Sequence, residues 1–186
     1  MSARVDSIKK HLSRYSVHSQ RRTTINHAFA SALARVEDFD AIRAADAMLL
    51  LGLEPDALRC VYCDQPAETW DHLYGLVQNQ RYAGRGHEIG NLVPACKRCN
   101  SAKGSKDWRV FAVSRGVPED RVQRIAEYET LIPEVCDQSR LEELYPDLMS
   151  AYAELRLSVN NLLKVADGIA TEVQRLERLR RAAPKS

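Results

Sequence analysis

The sequence predicts an α+β fold that is predominantly helical, and three observations carry the prediction. Apolar residues recur at helical spacing before residue 56 and again after residue 108. Between Cys60 and Trp108 the texture changes to short extended segments broken by turns. Four of the five cysteines stand inside that stretch as two Cys-x2-Cys pairs. The expected architecture is a small zinc-stapled core of two strands and a helix over 57–109. An N-terminal helical region over 1–56 and a C-terminal helical region over 110–186, ending in a long helix, flank it.

Ahead of the cysteines, helices are expected over 4–15, 21–37 and 40–51. In the second, Ile25, Phe29, Ala32, Leu33 and Val36 share a helical face; in the third, Ile42, Ala45, Met48 and Leu49 do. Gly52 and Pro55 end this part. In the middle, Thr69–Tyr74 reads as a strand, Gly84-Arg85-Gly86 as a flexible turn, Leu92–Ala95 as a second strand and Asn100 onward as a helix. Helices resume after Trp108, with Pro118 pre-set for the first turn of a helix over 119–131. From 147 to 181, Leu148, Leu155, Leu162, Ile169 and Leu176 fall seven apart, with Tyr152, Val159, Ala166 and Val173 offset by four. Such a seam suits a homodimer through the helix over 147–181 or packing against the chain's own helices, because one seam does not name its partner.

With a formal charge of +2, 45% hydrophobic and 28% charged residues, the chain has the composition of a soluble globular protein and excludes a disordered or collagenous one. Near-neutral charge says little about a polyanionic partner, so an argument for nucleic acid must rest on where the cations sit. The N-terminal segment has no signal-type apolar run and no stretch reaches membrane-spanning length, so no membrane association and a reducing cytoplasmic setting are expected. In that setting Cys60/Cys63 and Cys96/Cys99 read as two knuckles of a tetrahedral zinc site, against the alternatives of redox pairs or ordinary buried thiols. Cys136 has no partner at ligand spacing.

Between the knuckles lie residues suited to hydrolysing a phosphodiester, which needs a base to activate water and a cation to neutralise charge on the phosphoryl and leaving oxygens. Asp71 and His72 are adjacent in a strand-like segment, so their side chains leave on opposite faces and take different jobs. Asp71 is expected as an anionic metal ligand and His72 as the base, with an imidazole pKa near ~6.5 and activity rising through roughly pH 6 to 7. Taken alone, Asn91 after Gly90 also suits a turn, and Asn100 a helix N-cap.

Cys60-x2-Cys63, then Trp70-Asp71-His72, then Gly90-Asn91-Leu92-Val93-Pro94-Ala95-Cys96-Lys97-Arg98-Cys99-Asn100-Ser101-Ala102-Lys103-Gly104, resembles the HNH endonuclease family. The resemblance spans about a quarter of the chain, Cys60 to Asp107. It implies a ββα-metal unit in which His72 activates water, Asp71 and Asn100 hold a single divalent cation, and Asn91 orients the imidazole. Asn100 stands where the family name has its last histidine, as in His-Asn-Asn variants. An amide oxygen is a hard ligand, which favours Mg²⁺ or Mn²⁺ at the catalytic position. Zinc on the four cysteines is then structural, with no open coordination position. The implied activity is hydrolysis of DNA to 5′-phosphate and 3′-hydroxyl ends, with restriction or defence as settings that fit. A two-fold dimer would let two such sites each cut one strand.

Arg81, Arg85, Lys97, Arg98, Lys103, Lys106 and Arg109 face only Glu88 and Asp107 over the same span, the local excess that a phosphate-backbone groove requires. His87 is expected to contact a phosphate, to assist as a second acid or ligand, or to cap a turn. Glu88 beside it carries the same open reading as a ligand. Trp70, Tyr82 and Trp108 are candidates for base stacking, with core packing the competing role for the tryptophans. Two rivals remain at this stage: a non-catalytic zinc-binding module that binds nucleic acid, and a nuclease that acts on RNA or as a nickase.

Overall fold

The computed structural model describes Ile8 and residues 12–182. Among the described residues, seven helices and four short strands follow in the order α1 (Val17–Ser31), α2 (Ala41–Leu50), β1 (Thr69–His72), β2 (Val77–Gln78), β3 (Arg81–Tyr82), β4 (Leu92–Ala95), α3 (Lys97–Lys103), α4 (Trp108–Arg115), α5 (Glu119–Glu129), α6 (Gln138–Leu144) and α7 (Pro146–Ala182). The α+β class and its helical bias are as the sequence predicts. The chain falls into two compact units, one made of the stretch through Phe29 with the stretch from Asp147, the other spanning Ala30–Pro146.

In the first unit α1 lies along α7. The Phe29 and Tyr152 rings meet at 5.1 Å, and the Tyr152 hydroxyl donates to the Phe29 carbonyl at 2.9 Å. Asp167 accepts from the backbone N–H of Val17 at 2.7 Å and of His18 at 3.1 Å. A carboxylate at a helix start satisfies donors that have no partner within the helix. This cap explains why α1 begins at Val17, ahead of the expected residue 21. Of the expected helix over 4–15, most lies outside the described residues, and residues 12–15 are not helical. The second expected helix also ends early: Val36 pairs with His87 in a short parallel bridge.

The second unit holds one core, built from Ala47, Met48 and Leu51 around α2, Val61 and Tyr62 of the first knuckle, Leu73 just after β1, Val93 and Ala95 of β4, Trp108 and Phe111 of α4, and Ile125 and Tyr128 of α5. Side-chain caps set the helix starts: Asp40 accepts from the N–H groups of Ile42 and Arg43, Asp107 from those of Arg109 and Val110, and Asp137 from that of Arg140. Pro118 is the cap residue before α5 rather than its first helical residue.

Strands β1 and β4 pair antiparallel, with Asp71 opposite Val93 and His72 opposite Leu92. Pro94 lacks an N–H, yet the pair tolerates it because β4 has β1 as its one strand partner and the Pro94 carbonyl accepts from Val61. The hairpin of β2 and β3 was not legible from residue types. Its turn residues Asn79 and Gln80 both have positive φ, 51° and 63°, and Asn-Gln lacks the glycine that usually marks such a turn. Nor is Gly84-Arg85-Gly86 a loose turn. A Cβ on Gly86 would lie 2.5 Å from the Arg35 carbonyl oxygen, so the loop is packed where only glycine fits.

Candidate active site

The first knuckle is a tight turn in which Asp64 takes a positive φ of 62° and its N–H donates to the Cys60 carbonyl. The second is the start of α3, where the Cys96 sulfur accepts from the Cys99 N–H at 3.4 Å. One sulfur from each of Cys60, Cys63, Cys96 and Cys99 lies within 4.8 Å of all the others. Tetrahedral zinc–thiolate bonds of about 2.3 Å give sulfur separations of about 3.8 Å, so this cluster can hold a metal ion such as zinc. Burial works against ionising Cys96, but the Cys99 N–H and the neighbouring sulfurs outweigh it and bring its thiol down to about 7. Burial pushes Cys60 and Cys99 up. Four thiolates this close need a cation to share their charge.

Helix α3 starts at the second knuckle and its first turns pack on β1. Asn100 Nδ2 donates to the Trp70 carbonyl at 3.1 Å. One turn on, Lys103 Nζ reaches the His72 carbonyl at 2.6 Å and Asp71 Oδ1 at 3.4 Å. Asp71 and Lys103 are both buried, with side-chain exposures of 6% and 2%. The Tyr62 hydroxyl donates to the other Asp71 oxygen at 3.1 Å. Burial raises the Asp71 carboxyl above its ordinary range, opposed by Lys103 and Tyr62. Burial also raises the Tyr62 phenol, with Asp71 adding to it, so Tyr62 stays a donor.

His72 leaves β1 on the opposite face, as alternation requires. Its Nε2 lies 3.1 Å from His87 Nδ1. Burial, then the neighbouring His87 and Lys103, pull the His72 imidazole down to about 4. The expected imidazole value near ~6.5 is therefore corrected: partial burial, with the His87 ring and the Lys103 ammonium nearby, disfavours the protonated ring.

Asn91 is fully buried. Its Oδ1 accepts from Tyr74 N at 2.9 Å, and its Nδ2 donates to the Tyr74 and Gly86 carbonyls at 3.2 and 3.0 Å. These bonds go to backbone and not to the His72 ring, so any positioning of the imidazole by Asn91 runs through the loop that carries His87. The same loop is held from outside the motif. His87 N donates to the Arg35 carbonyl at 2.8 Å, and Glu37 N to the His87 carbonyl at 3.1 Å. Glu88 accepts from Gly86 N and ion-pairs with Arg35 at 3.2 Å, which gives its buried carboxylate a loop-holding part. Arg35, Glu37 and Tyr62 were not picked out from the sequence; the one signal for Tyr62 is its place between the knuckle cysteines.

These contacts put the knuckles, Asp71, His72, Asn91 and Asn100 in one small unit in the order the motif gives them. Residues 60–106 match the HNH endonuclease family. A search of curated proteins and a search of solved structures each found no match.

Within the matched segment, the donors for a second cation can be weighed by their chemistry. The Asn100 amide nitrogen is committed to Trp70, which leaves its oxygen for another partner. Each Asp71 oxygen has one protein donor and keeps lone-pair capacity. Two oxygen donors on adjoining elements fit a hard divalent ion. Among the described residues, no other group of three or more histidine, cysteine or acidic donors gathers as the four cysteines do.

The expected nucleic-acid contacts divide. Lys97 is 75% exposed, with a long pairing to Glu68 at 3.5 Å, and Arg98 is exposed. Lys106 is exposed and bonds the Ala102 carbonyl. Arg85 stacks over the Tyr74 ring at 4.8 Å, and Arg81 is exposed but ion-paired with Glu142 at 2.9 Å. Lys103 is the correction: its ammonium is buried against Asp71 and cannot face a solvent-borne phosphate. Arg109 is held by Glu129 at 2.6 Å. Among the aromatics, Trp108 and Tyr82 are buried at 0% and 3%, whereas Trp70 is 48% exposed. Trp70 and His87 also border a cavity of about 400 Å³ lined by Phe39, Met48 and Leu92, with Glu37, Asp38 and Asp40 among its residues. Those acids make it a poor seat for phosphate. No helix among the described residues is long and apolar enough to cross a membrane.

Proposed function

We propose that this chain is a metal-dependent endonuclease that hydrolyses DNA phosphodiester bonds, with the 57–109 core as its catalytic part. The observation that carries the reading is the placement of His72. Its ring stands half-buried at the end of β1, is kept neutral by its surroundings, and lies on the strand that α3 grips through Asn100 and Lys103. A neutral imidazole at this edge takes a proton from water, and the hydroxide attacks phosphorus as the 3′ oxygen leaves. A cation such as Mg²⁺ or Mn²⁺, held by Asp71 and Asn100, neutralises charge on the phosphoryl and leaving oxygens when bound. Asn91 keeps the 84–88 loop, and with it His87, against His72. Lys97, Arg98, Arg85 and Lys106 hold the DNA backbone, Arg81 after release from Glu142.

Cleavage of supercoiled plasmid with Mg²⁺, Mn²⁺ or EDTA tests this, comparing wild type with folded, zinc-loaded His72→Ala. Metal-dependent cutting by wild type alone supports the reading, and discrete fragments from linear DNA would point to a restriction or defence role. Duplex, single-stranded and RNA substrates at matched salt identify the substrate class. One observation favours a non-catalytic zinc-binding nucleic-acid module instead: the Lys103 ammonium and the Tyr62 hydroxyl already balance the charge of Asp71 and give each of its oxygens a donor without a metal ion. Binding of all these substrates with cleavage of none would decide for that module.

A further inference from the structure

Helix α7 buries one flank against α1 and leaves a second apolar face to solvent. Tyr152, Asn160 and Asp167 bond to α1, and Met149 is buried. On the other face Leu148, Leu155, Leu162, Ile169 and Leu176 are 72, 60, 67, 63 and 51% exposed, and Val165 and Leu179 beside them are 59 and 57% exposed. Five of these residues fall seven apart and Val165 and Leu179 stand three residues after Leu162 and Leu176, so together they form a seam over more than four heptads, which in isolation is an association surface. The charges beside the seam say which occupant fits. The flank one residue before each seam leucine or isoleucine reads Asp147, Glu154, Asn161, Gly168 and Arg175, acidic at its start and basic at its end.

We propose that α7 pairs with α7 of a second copy of this chain in an antiparallel, two-fold arrangement. A two-fold axis across the seam sets each flank against the same flank of the partner. With Leu162 layered on the partner's Val165 and Leu148 on the partner's Leu179, Glu154 meets the partner's Arg175, and the pair occurs twice. The flank on the other side, Val159, Ala166 and Val173, then meets itself and widens the apolar strip. A parallel pair would instead set Arg175 against the partner's Arg180 on both sides, a like-charge contact. Glu172 interrupts the seam in the antiparallel register, where it faces Leu155, and its ion pair with Arg175 of the same helix must be given up or shared.

Sedimentation equilibrium of the full chain, without DNA and at micromolar concentration, tests the proposal. Wild type is expected to be a dimer, and Leu162→Glu a monomer of unchanged helicity. Glu154→Arg alone and Arg175→Glu alone each weaken the dimer, by roughly tenfold in Kd for two attractions turned to repulsions. The exchange Glu154→Arg with Arg175→Glu restores it. A monomeric wild type, or a dimer that Leu162→Glu leaves intact, overturns the proposal. Arg175→Glu that tightens the dimer overturns the antiparallel arrangement.

Discussion

Lys103 Nζ donates to the His72 carbonyl oxygen at 2.6 Å, so the helix that begins at the second cysteine pair is bonded to the backbone of the candidate base. The same ammonium neutralises Asp71 at 3.4 Å. A lysine that sequence alone assigns to phosphate thus ties α3 to β1 beneath the site.

Replacing Lys103 with Met is therefore expected to cost stability as well as activity. It strands the buried Asp71 carboxylate, and breaking one half of a buried pair costs about 3–5 kcal/mol. Denaturant unfolding of the zinc-loaded variant measures this. Lys97→Met, at an exposed position, should leave stability within about 0.5 kcal/mol and lower DNA affinity and its salt slope instead. Equal effects of the two substitutions on stability would contradict the buried role.

The pH profile follows from His72. A base works in its neutral form, and the ring is brought down to about 4 by burial, His87 and Lys103. The acid limb of kcat/KM, which reports the free enzyme, should fall well below pH 6, leaving activity flat across pH 6 to 8 as far as this group is concerned. His87→Ala removes one neighbour that opposes protonation and should move the limb up toward the ordinary ~6.5. The folded-state value is depressed, so the unfolded chain takes up the proton first. Stability should decline as pH falls from about 6.5 toward 4, and circular dichroism at each pH separates that loss from the catalytic limb. A limb at pH 6.5 in the wild type would show that the substrate-free site does not hold the ring as described.

Much of this was legible because the motif residues are local and chemically distinctive. Two Cys-x2-Cys pairs, Asp-His and Gly-Asn specify the cysteine cluster, the strand and the loop, and the heptad repeat located α7 to within a residue or two. What escaped depends on contacts distant in sequence. Asp167 caps α1 from α7, Arg35 and Glu37 hold the His87 loop, and Tyr62 meets Asp71 only once the knuckle has folded. The role of Lys103 was misread because a lysine's charge is visible in sequence and its burial is not.

Asn91 should behave as a loop anchor. Its three side-chain bonds run to the Tyr74 and Gly86 backbone, and Asn91→Ala leaves those buried groups unpaired at about 2–3 kcal/mol. The variant should show faster amide exchange over 84–88 together with a reduced kcat. Reduced kcat with unchanged exchange and stability would assign Asn91 a direct part in the reaction.

Zinc removal should act on one unit of the chain and spare the other. The four cysteines join the first knuckle to the start of α3, and the Val61, Tyr62, Ala95 and Cys99 side chains around them belong to the core shared with α2, α4 and α5. Structural zinc sites contribute on the order of 10 kcal/mol of apparent binding free energy, comparable to the whole stability of a small unit, so a strong chelator should unfold Ala30–Pro146. The α1 and α7 helices have their own contacts, Phe29 with Tyr152 and Asp167 with the α1 N-terminus, so much of the helical signal should persist. Elemental analysis is expected to give one zinc per chain, lost in Cys99→Ser, with the fluorescence change of Trp70 and Trp108 tracking metal loss. A metal-free chain that keeps the same near-ultraviolet spectrum and melting temperature would mean that the thiols pack without metal, and the structural role of zinc would fall.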